Sequence, residues 1–152
     1  MKPTIDIVVI SLSSPLQVGI YDNNHLIKQY ETKEQTSEAL PTLFQEILEN
    51  FTCKRLFFAK GPGSFMAIKI SYVFLKTLSI SLGAPLYACD GFMFNANRPI
   101  RAMRNLYFMK ENGQIVTQRL DEEIEQIFEL PHYLDATKFD ENTDPLYMLP
   151  AV

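Results

Sequence analysis

Cysteine, histidine and positive charge are all scarce in this sequence, and each scarcity argues against a class of function. The two cysteines, Cys53 and Cys89, have neither metal-type spacing nor a second pair with which to build a disulfide framework. We interpret both as small apolar core residues rather than redox groups. The two histidines, His25 and His132, have no histidine or cysteine at metal-ligand spacing, so neither a metal site nor a cofactor is predicted.

The charge balance and the apolar stretches also limit the possible partners. A net charge of −4 argues against a direct nucleic-acid binder, although contact with RNA through a partner stays open. The start of the chain lacks the features of a signal peptide. The longest apolar stretch, 65–82, contains Lys69, Lys76 and four serine or threonine residues, which makes it a poor membrane span. We expect a cytoplasmic protein with no membrane partner.

The first third of the chain predicts three strands followed by a helix. Apolar runs at 5–10, 16–21 and 25–31, with turn residues between the last two, predict an antiparallel meander. Apolar residues then recur at helical spacing up to Phe51 and predict a helix that begins near 37–39. Thr36 or Ser37 is expected to cap this helix, and Pro41 is expected in its first turn.

The next segment predicts a strand, a helix and a second strand. The strands are expected at 56–59 and 86–89, and the helix at 65–82, with Gly83 as its C-terminal cap. This order and spacing describe a βαβ unit, whose two strands are parallel. The predicted class is therefore α/β.

The character of the sequence changes near residue 97. A hairpin is predicted at 106–110 and 114–120, followed by a short helix that Asp121 caps and by an irregular stretch to Val152. We predict a first lobe over 1–97 and a short second lobe over 98–152, too small to hold a core alone.

One loop and one arginine group could bind phosphate. Gly61, Gly63 and Ser64 lie between a strand and a helix N-terminus, where backbone amides can hold an anion. The loop lacks the Lys-Ser/Thr ending of a P-loop, so a tight turn with Ser64 as the helix cap is the favoured interpretation. Arginines 98, 101 and 104 are expected to be solvated or to pair with the acidic segment near the C-terminus. The sequence shows no nucleophile elbow and no metalloprotease motif.

The predicted helix at 65–82 is apolar around its whole circumference. Such a helix must be covered on more than one side, and a sheet covers only one. Tyr72, Val73 and Phe74 are candidates for the remaining face. We therefore favour a protein-binding surface here, the alternative being that the first helix and the C-terminal segment cover the helix completely.

Three motifs resemble one bacterial family. Residues 10–16 read ISLSSPL, residues 37–41 read SEALP, and residues 61–65 read GPGSF ahead of the long helix. These stand in the order and spacing of the TsaB (YeaZ) family, whose pattern is roughly IDTSSPL, HSEALLP and GRGPGSFTGLRIG. The resemblance covers residues 5–95, with the GPGSF loop as its most specific part. It is thin beyond residue 97.

This resemblance implies an actin-like N-terminal lobe with a mixed five-stranded sheet, plus a truncated second lobe. It implies a non-catalytic subunit that binds the enzyme TsaD and works with the ATPase TsaE to place threonylcarbamoyl on adenosine of tRNA. Homodimerisation through the same two helices is also implied, and tRNA would be contacted only indirectly. On these helices the predicted partner-binding residues are Leu40, Phe44, Ile47, Ile68, Lys69, Tyr72, Val73, Phe74 and Lys76.

Departures from the family pattern leave a second function open. Ser11 stands where actin-like ATPases carry a phosphate-site aspartate, which argues against nucleotide hydrolysis. Ser71, Val73, Phe74 and Thr77 stand where the family has smaller residues, so we expect a wider or shifted interface. The alternative function is a small nucleotide-binding phosphotransferase or ATPase that uses the loop from Gly61 to Ser64.

Overall fold

A mixed five-stranded sheet forms the centre of the protein. The computed structural model describes residues 1–147, and the last part of the irregular C-terminal stretch predicted above lies outside them. The strand order is β3-β2-β1-β4-β5. The strands are β1 (Thr4–Ile10), β2 (Leu16–Asp22), β3 (His25–Thr32), β4 (Thr52–Ala59) and β5 (Leu86–Cys89).

The pairing of these strands agrees with the predicted meander and βαβ unit. β1, β2 and β3 are antiparallel neighbours, whereas β4 is parallel to both β1 and β5. Asn23 and Asn24 make the β2–β3 turn with positive φ angles of 51° and 68°, a conformation that asparagine tolerates. The predicted α/β class, with a mixed five-stranded sheet, is confirmed.

Two helices, α1 (Thr36–Asn50) and α2 (Phe65–Leu82), cover one face of the sheet. The predicted cap of α1 is wrong: Gln35 is the N-cap residue and makes no side-chain hydrogen bond. Pro41 consequently lies in the second turn rather than the first. It is tolerated because the carbonyl group that loses a partner belongs to Ser37, which is exposed to water.

The two faces of the sheet have separate cores because successive residues of a strand point to opposite sides. Ile7 and Val9 of β1 face the helices, in one cluster with Leu40 and Phe44 of α1. Val8 and Ile10 face the other side. There they pack with a 3₁₀ helix at Gly91–Asn95 and with apolar residues of the segment 128–139.

The predicted short helix after Asp121 is wrong. Residues 123–131 run without regular secondary structure. Their backbone amides bind distant partners: Ile127 N–H donates to Asn95 Oδ1 at 2.7 Å, and Glu129 N–H donates to the Phe94 carbonyl at 2.9 Å. These hydrogen bonds replace the local ones of a helix and hold the segment against the sheet.

A second, three-stranded sheet contains the predicted hairpin. Its strands are β6 (Ile100–Met103), β7 (Leu106–Glu111) and β8 (Gln114–Arg119), all antiparallel. The hairpin of β7 and β8 is confirmed, whereas β6 was not predicted. The small core of this sheet consists of Phe92, Ile100 and Phe108. The lobe boundary at residue 97 stays a prediction.

Within residues 1–147, α2 is the one helix long and apolar enough to cross a membrane. It contains Lys69 and Lys76, and it packs on the sheet through Ile68, Ser71 and Leu75.

Candidate partner-binding face of helix α2

Helix α2 has a buried inner side and an exposed outer side that are both apolar. Ile68, Ser71 and Leu75 point inward and are buried. On the opposite side Met66 is 59% exposed, Val73 is 54% exposed and Ile80 is 74% exposed. Isolated exposed apolar residues are ordinary, but a row of them along one helix indicates an interaction site.

The residues on this outer side follow the spacing of a helix–helix seam. Met66, Ile70, Val73, Thr77 and Ile80 are separated by alternating steps of four and three residues. We call these five residues the outer stripe. A repeat of 3.5 residues places one face of a helix against a partner helix, as in a coiled coil. The outer stripe therefore has the geometry of half of a helix pair.

A shallow groove of about 590 Å³ runs beside the outer stripe towards the start of α1. Its lining is mostly apolar and includes Phe74 and Leu78 of α2 and Ser37 of α1. Phe74 closes the groove on the inside by packing edge-on against Phe44, with 5.3 Å between ring centroids. Together the groove and the stripe form a continuous surface that an apolar segment can occupy.

The structure corrects four of the predicted partner-binding residues. Leu40, Phe44, Ile47 and Ile68 are buried in the protein's own core, so their side chains cannot contact a partner. They were chosen because they form the apolar stripes of their helices, and those stripes face the sheet.

The other predicted partner-binding residues remain candidates. Val73, Lys69 and Lys76 are exposed on α2. Tyr72 and Phe74 are half-buried against the core. The prediction missed Met66, Ile70, Thr77 and Ile80, although their 3.5-residue spacing was readable in the sequence.

Close packing accounts for the glycines of the predicted anion-binding loop. A Cβ atom on Gly61 would lie 2.9 Å from the Leu146 carbonyl oxygen, and one on Gly63 would lie 3.2 Å from Leu12 Cβ. Ser64 caps α2 as predicted, because its Oγ accepts a hydrogen bond from the Ala67 N–H at 3.5 Å. The loop thus meets the requirements of a tight turn, and anion binding by it stays a prediction.

The first and third family-like motifs meet beside the segment that leads into α1. Residues 11–14, residues 33–36 and Ser64 line a common cavity of about 240 Å³ beside the N-terminus of α2. Behind it, the hydroxyl groups of Ser11 and Ser71 form a buried hydrogen bond. The loop after β1 thus meets α2 at this cavity.

The predicted pairing of the arginine group with the acidic segment is present for Arg101. Its Nη2 lies 2.7 Å from Glu123 Oε1 and 3.1 Å from the Tyr107 hydroxyl group. The hydrogen bond to Glu123, with a further one to Tyr107, raises the pKa of the Arg101 guanidinium. In residues 1–147 no group of three histidine, cysteine or acidic side chains could hold a metal ion.

Comparison with known proteins identifies one relative by sequence. No family model matches the chain. The chain is 30% identical over 104 residues to the tRNA threonylcarbamoyladenosine biosynthesis protein TsaB of Buchnera aphidicola subsp. Acyrthosiphon pisum (strain APS). This alignment covers 62% of the chain and 47% of that relative.

The fold agrees with this relationship. YeaZ from Pseudomonas aeruginosa superposes with a TM-score of 0.60 at 12% identity, over 76% of this chain and 64% of that chain. The chain is therefore similar in sequence to one TsaB protein and in fold to YeaZ. A second structure, of an uncharacterized protein with similarity to peptidase YEAZ from P. aeruginosa, gives a TM-score of 0.56 at 14% identity. That match covers 76% of this chain and 63% of that one. The chain spans about half the length of the TsaB relative that it matches.

Proposed function

We propose that this chain is a non-catalytic subunit that binds a TsaD-like protein through the outer stripe of α2. In this role it supports threonylcarbamoyl-adenosine modification of tRNA in the cytoplasm, with a TsaE-like ATPase in the larger complex. The tRNA is contacted only through the partner. The observation that carries the proposal is the 3.5-residue repeat of the outer stripe, in which the apolar side chains of Met66, Val73 and Ile80 are exposed.

The size and chemistry of the surface suit a protein partner. A stable protein interface buries about 800 Å² on each side and has an apolar centre with a polar rim. The outer stripe and its groove supply the apolar centre, and Lys69 and Lys76 supply charge on one flank. A second copy of the chain could use the same stripe, so homodimerisation would compete with binding of the partner.

The similarity to TsaB supports the choice of partner. The sequence relative is named for tRNA threonylcarbamoyladenosine biosynthesis, and the family-like motifs at 10–16 and 61–65 meet at the N-terminus of α2. Because Val73 and Phe74 are larger than the residues usual there, the partner helix is expected to sit further from α2 than in the family at large.

The direct test uses size-exclusion chromatography with light scattering, on the protein alone and mixed with the TsaD-like protein of its own organism. We expect a one-to-one complex that Val73→Glu weakens at least about tenfold, because the substitution places a charge in the apolar centre. The introduced carboxylate lies one turn from Lys69 and Lys76, so α2 itself should tolerate it.

A matched control tests whether the loss of binding is specific to the outer stripe or follows from a charge at any exposed apolar residue. Ile27→Glu makes the same kind of change at an apolar residue of β3 that is 51% exposed and distant in sequence. This variant should bind the partner like the unmodified protein. Equal binding by the Val73→Glu variant would remove the outer stripe from the interface.

The cellular role has its own test. Deletion of the gene should lower the amount of threonylcarbamoyl-adenosine in tRNA, and the Ile27→Glu variant should restore it while Val73→Glu should not. Unchanged modification after deletion would contradict the proposed role even if the two proteins bind.

A further inference from the structure

A cleft at the carboxyl edge of the parallel strands contains an unusual concentration of charged side chains. Lys60 directly follows β4, and Asp90 directly follows β5. In α/β proteins this edge is where ligands bind, since the ends of parallel strands meet there. The cleft has a volume of about 640 Å³ and shares no lining residue with the groove beside α2.

Lys60 is the central charge of this cleft. It is only 9% exposed, and its Nζ donates a hydrogen bond to the Asn142 carbonyl oxygen at 2.8 Å. No acidic side chain in residues 1–147 forms an ion pair with it. An ammonium group has three donors, and a buried one is costly unless an anion or several acceptors satisfy it.

The other charges of the cleft leave a net positive lining. The lining contains three lysines and two aspartates: Lys60, Lys110, Lys138, Asp90 and Asp140. Lys110 is paired with Asp90 at 2.6 Å, and Asp140 Oδ1 accepts a hydrogen bond from the Asn142 N–H within its own loop. Lys60 and Lys138 are therefore the lysines available to an incoming anion.

We propose that this cleft, the Lys60 cleft, binds the phosphate group of a small molecule. A phosphate oxygen can accept the two Lys60 protons that Asn142 does not use, and a dianion compensates the buried charge that the protein leaves unpaired. Lys138, which is exposed at the rim of the cleft, would bind the phosphate oxygens that face the solvent. The cleft is large enough for inorganic phosphate, pyrophosphate or the phosphates of a nucleotide. The site is independent of the outer stripe and does not use the glycine loop.

Calorimetric titration of the full chain at low ionic strength tests the site, with inorganic phosphate, pyrophosphate and ATP as separate probes. Binding of at least one probe is expected. Lys60→Met, which keeps the length of the side chain and removes its charge, should weaken that binding at least about tenfold. Lys60→Arg should restore most of it. The probe that binds most tightly distinguishes a free phosphate from a nucleotide.

Lys54→Met is the matched control, because Lys54 is an exposed lysine near the other end of the same strand. It should leave the affinity unchanged. An equal loss in both variants, or no binding of any probe to the unmodified protein, would overturn the proposal. If Lys60→Met does not fold, Lys138→Met decides instead: it should weaken binding severalfold, and an unchanged affinity would refute the site.

Discussion

The hydroxyl oxygens of Ser11 and Ser71 lie 2.5 Å apart in the interior of the protein. Ser11 directly follows β1, and Ser71 lies on the inner side of α2, where it has no exposed surface. Each hydroxyl group satisfies the other in a place that excludes water. This hydrogen bond connects the first family-like motif to the helix that carries the outer stripe.

The Ser11–Ser71 pair should behave as a coupled unit in folding. Ser71→Ala leaves the Ser11 hydroxyl group buried without a partner and should lower the free energy of unfolding by about 1–3 kcal/mol. The double variant with alanine at both positions should cost less than the sum of the two single variants, because it leaves no unsatisfied group. Urea unfolding followed by circular dichroism measures all three. Strictly additive losses would show that the two hydroxyl groups do not depend on each other.

The sequence predicted the elements whose stability is local or periodic. The meander, the βαβ unit, the Ser64 cap and the hairpin each depend on a few adjacent residues or on one repeat. The segment after Asp121 could not be predicted in this way, because its conformation depends on Asn95, a fully buried side chain about thirty residues earlier. Periodicity suggested a helix there, and tertiary hydrogen bonds determined an extended path instead.

The candidate site was also predicted only in part, because sequence periodicity does not report tertiary packing. Helical periodicity identified the apolar face of α1, but it does not say whether that face meets the sheet or a partner. For Leu40 and Ile47 the apolar face is the buried one. Only α2 carries two apolar faces, so only α2 has one left for a partner.

An ion pair between neighbouring strands should contribute to stability. Arg55 of β4 binds Asp6 of β1 through two hydrogen bonds, Nε to Oδ1 at 2.9 Å and Nη2 to Oδ2 at 2.7 Å. The Asp6 side chain is 7% exposed, so Arg55→Met would leave a buried carboxylate without its partner. We expect a loss of about 2–4 kcal/mol in urea unfolding, and a smaller loss for Arg55→Lys, which keeps the charge.

Arg98→Met is the control for the Asp6–Arg55 pair, because Arg98 is exposed. Its effect should stay within about 0.5 kcal/mol. Equal effects at Arg55 and Arg98 would mean that the ion pair adds nothing beyond an ordinary surface contact.

Two glycines with positive φ should respond differently to alanine. Gly61 has a φ of 122° and would place a Cβ atom 2.9 Å from the Leu146 carbonyl oxygen, whereas Gly113 has a φ of 80° with open space around it. Gly113→Ala should cost only the backbone strain, about 1 kcal/mol. Gly61→Ala adds a steric clash and should cost clearly more, with a lower melting temperature. Similar melting temperatures for the two variants would show that Leu146 moves aside freely.

The thiol groups of Cys53, which is half-buried, and of Cys89, which is buried, should make the protein less stable in alkali. Burial, with the charge of Asp6 adding to it, raises the pKa of Cys53 to about 12. In the unfolded chain this thiol loses its proton near its ordinary pKa of about 8.5. Above that pH the unfolded state therefore holds fewer protons than the folded state, and the free energy of unfolding falls by about 1.4 kcal/mol per pH unit for this thiol. The contribution of the Cys53 thiol to the free energy of unfolding is complete below a pH of about 8.5 and is lost as the pH rises towards 12.

Cys53→Ser isolates this effect, because a serine hydroxyl group does not titrate in the same range. Burial also raises the pKa of Cys89 and of Tyr21, so the unmodified protein should lose stability more steeply than one thiol alone requires. Urea unfolding in a reducing buffer at several values between about pH 8.5 and 10.5 gives the slope for each protein. The slope for Cys53→Ser should be smaller by about 1.4 kcal/mol per pH unit, whatever the substitution does to stability at neutral pH. Identical slopes would mean that Cys53 ionises as readily in the folded protein as in the unfolded chain, and that water reaches its thiol group.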